Sequence, residues 1–131
     1  MEVTPTHVLV IDDAEELLAL FHDILEGEGY RTTLAAAPPG VEEIVRLGPD
    51  LVILDLLLGT DETVAWDLLR SIRADQRLVT MPVVLCSAAT DLLDRLQDDI
   101  AALGVVVVPK PFELDDFLQA VRNCRPPGQN H

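Results

Sequence analysis

Residues 51–55 read Leu51-Val52-Ile53-Leu54-Asp55. The four apolar residues run without polar alternation and stop on a carboxylate. A strand with one wet face alternates, whereas a strand covered on both faces reads as a continuous apolar run. Gly48-Pro49 precedes this run, Gly59 follows it, and residues 62–74 then carry a helical period. The unit is a strand followed by a helix. It recurs outward in both directions. Apolar runs at 7–11, 32–35, 51–54, 83–86 and 105–108 alternate with helical patterns at 14–26, 41–47, 62–74, 91–103 and 114–123. Turn signals separate them: Gly27 and Gly29, Pro38-Pro39-Gly40, Pro82 and Gly104. This alternation predicts an α/β protein with a parallel sheet and helices on both faces. The repeats are too few for an eightfold barrel, which leaves an open, doubly wound sheet.

The chain has 131 residues, one domain's worth. It is 49% hydrophobic and 24% charged, the composition of a globular chain. No apolar run approaches the roughly 18 residues of a membrane span, and the first ten residues lack the basic start of a signal peptide. With two cysteines, Cys86 and Cys124, there is no disulfide framework. A cytoplasmic protein with reduced thiols and no membrane partner is expected. Acidic residues outnumber basic ones 23 to 9, for a net charge of -14. The arginines are scattered, so nucleic-acid binding by this chain is not expected. Lys110 is the only lysine. In a chain that otherwise uses arginine, it suggests a need for a compact point charge.

Ligands of open parallel sheets bind beyond the carboxyl ends of the strands. The first run ends in Asp12-Asp13, the third in Asp55, the fourth in Ser87-Ala88 and the fifth in Pro109-Lys110-Pro111. Each has a plain alternative: Asp13 with Glu16 could form a capping box, and Ser87 could cap a turn. Their joint presence at four strand ends favours one site. Two carboxylates about 5 Å apart repel by roughly 3 kcal/mol at an effective dielectric of 20. Three mutual pairs reach on the order of 10 kcal/mol, more than one lysine offsets. A divalent cation with oxygen ligands, Mg²⁺, suits the cluster. The acidic 12–16 loop disfavours a flavodoxin-type phosphate loop, which needs free N–H groups after the first strand.

With these residues in place, the chain resembles the receiver domain of two-component response regulators, of the chemotaxis and sporulation type, over about residues 7–123. The matching motifs are Asp12-Asp13, Asp55, Ser87-Ala88 and Lys110-Pro111-Phe112. The resemblance implies a flavodoxin-like five-stranded parallel sheet of order 2-1-3-4-5 with five helices. It implies a receiver domain at 5–124; residues 125–131 carry no apolar period and read as a frayed tail or linker stump. It further implies that Asp12, Asp13, Asp55 and the backbone carbonyl of Leu57 hold Mg²⁺. Asp55 would take a phosphoryl group from a histidine kinase, Lys110 would pair with it, and Ser87 would move to bond it. The Lys110–Pro111 bond is expected to be cis. Such a domain catalyses its own phosphorylation and dephosphorylation and does not act as an enzyme on a separate product.

The chain departs from the family pattern in places. Gly59 and Thr63 stand where a proline and a glycine are usual, Val107 where an aromatic is usual, and Pro109 directly precedes Lys110. A receiver fold serving as a constitutive, unphosphorylated binding module is the alternative reading. An aspartyl-phosphate hydrolase of the haloacid-dehalogenase type would carry its nucleophile after the first strand in a spaced pair of aspartates, which this chain lacks. On the first helix, Leu17, Leu20, Phe21 and Ile24 are expected to face the sheet. Ala14, Leu18 and Leu25 form a neighbouring stripe, and a kinase or phosphotransfer partner is expected over Ala14 and Leu18. A downstream protein effector and a possible homodimer complete the expected partners. Because Val107 is small and stiff, activation is expected to order residues 56–63 and 88–91 rather than the face around the fifth strand.

Overall fold

The computed structural model describes residues 6–55, 62–87, 90–110 and 113–123. Its elements run β1 (His7–Ile11), α1 (Glu15–Gly27), β2 (Arg31–Ala35), α2 (Val41–Leu47), β3 (Leu51–Asp55), α3 (Glu62–Ala74), β4 (Val83–Ser87), α4 (Thr90–Arg95), α5 (Gln97–Ala102), β5 (Val106–Pro109) and α6 (Leu114–Asn123). The five strands are parallel, in the order β2-β1-β3-β4-β5. The sheet is the one the resemblance implies, with one difference. The helical pattern at 91–103 is two helices, so the described residues hold six helices and not five. The interruption is at Leu96, whose φ of -101° and ψ of 11° leave the helical range. The backbone bonds Leu96 N to Leu92 O and Ile100 N to Leu96 O span it. Leu92, Leu93, Leu96 and Ile100 keep their inward period across it, so periodicity alone sees one helix.

Alternate strand residues feed two cores. Leu9, Ile11, Val52, Leu54, Val83 and Leu85 meet α2, α3, α4 and α5 through Ile44, Leu69, Ile72, Leu92 and Ile100. Val8, Val10, Ile53, Val84 and Val108 meet α1 and α6 through Phe21, Leu25, Phe117 and Val121. The Phe21 and Phe117 rings lie 5.1 Å apart and lock the two helices together. β1, β3 and β4 are buried along their whole length. β2 and β5, at the sheet edges, are not, which corrects the expectation that all five runs are covered on both faces.

The face of α1 also needs correction. Leu18, Phe21 and Leu25 are buried, Leu17 and Ile24 are half-buried, and Leu20 is 46% exposed. Leu18, at 7%, is therefore a core residue and not part of a docking stripe. The run Leu17-Leu18, Leu20-Phe21, Ile24-Leu25 supports two adjacent stripes of equal period. Contact of Phe21 with Phe117 selects the one through Leu18 and Leu25. At the far end of the sheet, Arg73 ties three segments together. Its guanidinium donates to Leu103 O at 2.6 Å, to Met81 O at 2.7 Å and to Gly104 O at 3.4 Å. Gly104 there has φ of +66°, which only glycine adopts without strain. Residue 5, the tail 125–131 and Cys124 lie outside the described residues. No described helix is long and apolar enough to cross a membrane.

His7 opens β1 with its side chain buried, Nε2 bonded to Thr33 Oγ1 at 2.7 Å and Nδ1 without a partner. Burial first, then the Arg31 charge, lowers its pKa, against the opposing pull of Asp50. The folded chain thus resists a proton that the unfolded chain accepts. Stability should fall as pH drops below the unfolded value of about 6.5. In urea titrations, His7→Gln should lose that part of the pH slope. An unchanged slope between wild type and variant would contradict this account of His7.

Candidate phosphoacceptor site

The strand order brings the carboxyl ends of β1, β3, β4 and β5 to one edge. β1 ends at Ile11, and Asp12 follows it, 1% exposed. The Asp12 N–H donates to Ala35 O of β2, which holds the backbone in line with the sheet. Its Oδ1 accepts the Ala14 N–H at 3.0 Å and turns the chain into α1. Its Oδ2 accepts from Lys110 Nζ at 2.9 Å. The N-cap of α1 is Ala14, so the helix starts one residue later than a capping box on Asp13 would require. Asp13 is left at the surface of the cluster.

Asp55 closes β3 at 9% exposure, with Oδ2 3.4 Å from Lys110 Nζ. Ser87 closes β4, fully buried, and its carbonyl accepts the Lys110 N–H at 2.9 Å. That bond extends the β4–β5 ladder past Pro109, which pairs with Ser87 in register. The strand ladder therefore delivers Lys110 to the two carboxylates. Pro109 lacks an N–H, but it sits on the edge strand, where a missing donor is tolerated.

One carboxylate oxygen from each of Asp12, Asp13 and Asp55 lies within 4.8 Å of the others, a spacing that could hold a metal ion. Two of these carboxylates are buried, and among the described residues one ammonium, that of Lys110, lies beside them. Burial works against the charge on Lys110. The hydrogen bond to Asp12 and the charges of Asp55 and Asp12 outweigh it and raise the lysine's pKa. Lys110 is thus held as a cation between the two carboxylates. Cys86, the register partner of Asp55, is a buried free thiol. Burial pushes its pKa up to about 12, so it is no nucleophile at neutral pH.

All the candidate side chains read from the sequence meet at this edge: Asp12, Asp13, Asp55, Ser87 and Lys110. Leu57, Ala88, Pro111 and Phe112 lie outside the described residues, as does most of the 56–63 loop. Two features had no signal in the sequence. The Asp12 carboxylate forms the turn into α1, and Cys86 backs Asp55; both depend on register.

Comparison with known proteins agrees with this geometry. The family model for the response regulator receiver domain matches residues 8–122. The chain belongs to this family. The receiver domain is 36% identical over 118 residues to the transcriptional regulatory protein KdpE of Mycobacterium tuberculosis, covering 89% of this chain and 50% of that protein. It is 32% identical over 123 residues to the DNA-binding response regulator MtrA of Mycolicibacterium smegmatis, covering 93% and 51%. The chain thus spans about half the length of these curated relatives. Among solved structures, a putative response regulator from Chloroflexus aurantiacus superposes with a TM-score of 0.79 at 24% identity, covering 92% and 98% of the two chains. A response regulator receiver protein from Pseudomonas putida gives 0.77 at 26% identity, with the same coverage.

Lys110→Met should destabilise the receiver in the absence of divalent cations by roughly 3 kcal/mol, because Asp12 then stays buried without its cation. Asp13→Asn, at an exposed position, should be neutral or stabilising under the same conditions. Urea unfolding in chelator measures both. A loss below about 0.5 kcal/mol for Lys110→Met would mean that the lysine is not holding the cluster.

Proposed function

We propose that this receiver domain accepts a phosphoryl group on Asp55 from the phosphohistidine of a histidine kinase or phosphotransfer protein, and acts as a cytoplasmic phosphorylation-controlled switch. The observation that carries this reading is the gathering of Asp55, Asp12, Asp13 and Lys110 within one cluster at the carboxyl edge. An Asp55 carboxylate oxygen attacks phosphorus, the P–N bond to the histidine breaks, and the imidazole leaves as an acyl phosphate forms. Such transfer needs positioning and charge neutralisation more than a special base. Lys110, already fixed beside Asp55, offers its ammonium to the transferred oxygens. Ser87, at the end of the neighbouring strand, would donate its hydroxyl to the new phosphate. Asp12, Asp13, Asp55 and, by family resemblance, the Leu57 carbonyl would hold Mg²⁺, which supplies positive charge to the phosphoryl oxygens.

With Leu18 in the core, the partner's docking stripe moves to Ala14, the N-cap of α1, with Leu17 and Leu20 of the helix, half-buried and exposed. The output passes to a protein effector or to a further part of a longer polypeptide.

Incubation with Mg²⁺ and a small phosphodonor, followed by intact mass, tests the assignment. Wild type should gain one phosphoryl group, while Asp55→Asn and a chelated sample should gain none. Leu20→Glu should slow transfer from a cognate kinase and leave labelling by the small donor intact. An unlabelled wild-type chain would favour the constitutive binding module. Labelling of Asp55→Asn would place the acceptor elsewhere.

A further inference from the structure

At the amino end of the sheet, opposite the edge that carries Asp55, lies a groove of about 450 Å³ that phosphoryl transfer does not use. Val79, Met81, Leu103 and Val106 give it apolar walls, and Arg73 and Asn123 belong to its lining. The volume falls within the range of ligand clefts, roughly 300–1,000 Å³. Val79, in the turn before β4, is 46% exposed and Val106 is 39% exposed, so apolar surface is left open here. Arg73 joins the main chain on both sides of the groove. Its Nε donates to Leu103 O, its Nη1 to Met81 O and Val79 O, and its Nη2 to Gly104 O at 3.4 Å. A guanidinium carries five N–H donors, so Nη2 keeps capacity for one more acceptor.

Asn123 both lines the groove and ends α6. The polypeptide therefore leaves its last helix at the groove, and the sequence continues there as Cys124-Arg125-Pro126-Pro127-Gly128-Gln129-Asn130-His131. Eight extended residues reach about 26 Å, enough to lie along it. Pro126-Pro127 opposes a continued helix and favours an extended polyproline course, in which main-chain carbonyls find no partner within the segment. The segment holds Arg125 and no acidic residue, against a chain of net charge -14, so attraction to the domain favours its return. We infer that residues 124–131 fold back and dock in this groove. Pro126 and Pro127 would cover Val79, Met81 and Val106, and a carbonyl of the segment would accept from Arg73. A free peptide of this length binds weakly. Tethered at Asn123 it meets an effective concentration of about millimolar, so a contact of that affinity holds it. The prolines lower the ordering cost because their φ is fixed before docking. A docked segment sets the direction in which the polypeptide leaves α6. The inference is independent of Asp55 chemistry.

The test uses the full chain carrying Cys124→Ser and Gln129→Cys, with a nitroxide on the introduced thiol. Cys86 is buried, with its pKa pushed up to about 12, and stays unlabelled. Paramagnetic broadening should concentrate on the backbone amides of residues 79–81 and 103–106. It should be weak at the end of α1, although Arg122 of α6 meets Glu28 there at 3.4 Å. Val79→Arg, at an exposed turn position, should reduce the broadening of the groove amides severalfold. So should Pro126→Gly combined with Pro127→Gly, which keeps the tether and decides the matter alone if Val79→Arg fails to fold. Broadening shared equally between the groove and the end of α1, or indifferent to the proline replacements, would overturn the proposal. So would broadening of an isotope-labelled chain without nitroxide by an added nitroxide-bearing chain, since the occupant would then be the tail of a second copy.

Discussion

Lys110 Nζ and Asp12 Oδ2 meet at 2.9 Å although 98 positions separate them in the chain. That ion pair is the point on which the carboxyl edge of the sheet depends. β1 and β5 are not neighbours; β3 and β4 lie between them. The lysine therefore reaches across two strand ends and touches Asp55 on the way. The β4–β5 ladder carries it there, through the bond from the Lys110 N–H to Ser87 O. Asp12 in turn gives its other oxygen to the start of α1. One buried carboxylate thus joins the sheet, the first helix and the last strand.

Among the described residues, Lys110 is the one ammonium set against three carboxylates at the cluster. Each carboxylate has a distinct setting: Asp12 bonds Lys110 and Ala14, Asp55 lies 3.4 Å from the same ammonium, and Asp13 is exposed. This gradation suits the proposed chemistry. The buried carboxylate farther from the Lys110 ammonium is the one proposed to attack phosphorus, while the nearer one keeps the edge in shape.

Much of this was legible before the structure, for a physical reason. β1, β3 and β4 are buried on both faces, and burial writes itself as an unbroken apolar run. A polar residue ending such a run marks the strand's end, so Asp12, Asp55 and Ser87 stood out. The edge strands were harder. β2 starts at Arg31 and β5 at Val106, each one residue from the apolar run that marked it, because an edge strand need not be apolar throughout. On α1, period alone could not choose between stripes through Leu17 and through Leu18, since both repeat every turn; the Phe21–Phe117 contact chose. The break at Leu96 carried no sequence signal, as no glycine or proline causes it.

The three carboxylates form a crowded acidic site that could hold a divalent cation. Equilibrium unfolding over a Mg²⁺ series at constant ionic strength tests it most directly. Binding to the folded chain alone should raise stability, by about 1.4 kcal/mol for each tenfold increase in Mg²⁺ above the dissociation constant. In Asp13→Asn the rise should begin only at higher Mg²⁺. Stability independent of Mg²⁺, or the same dependence in wild type and Asp13→Asn, would contradict the account.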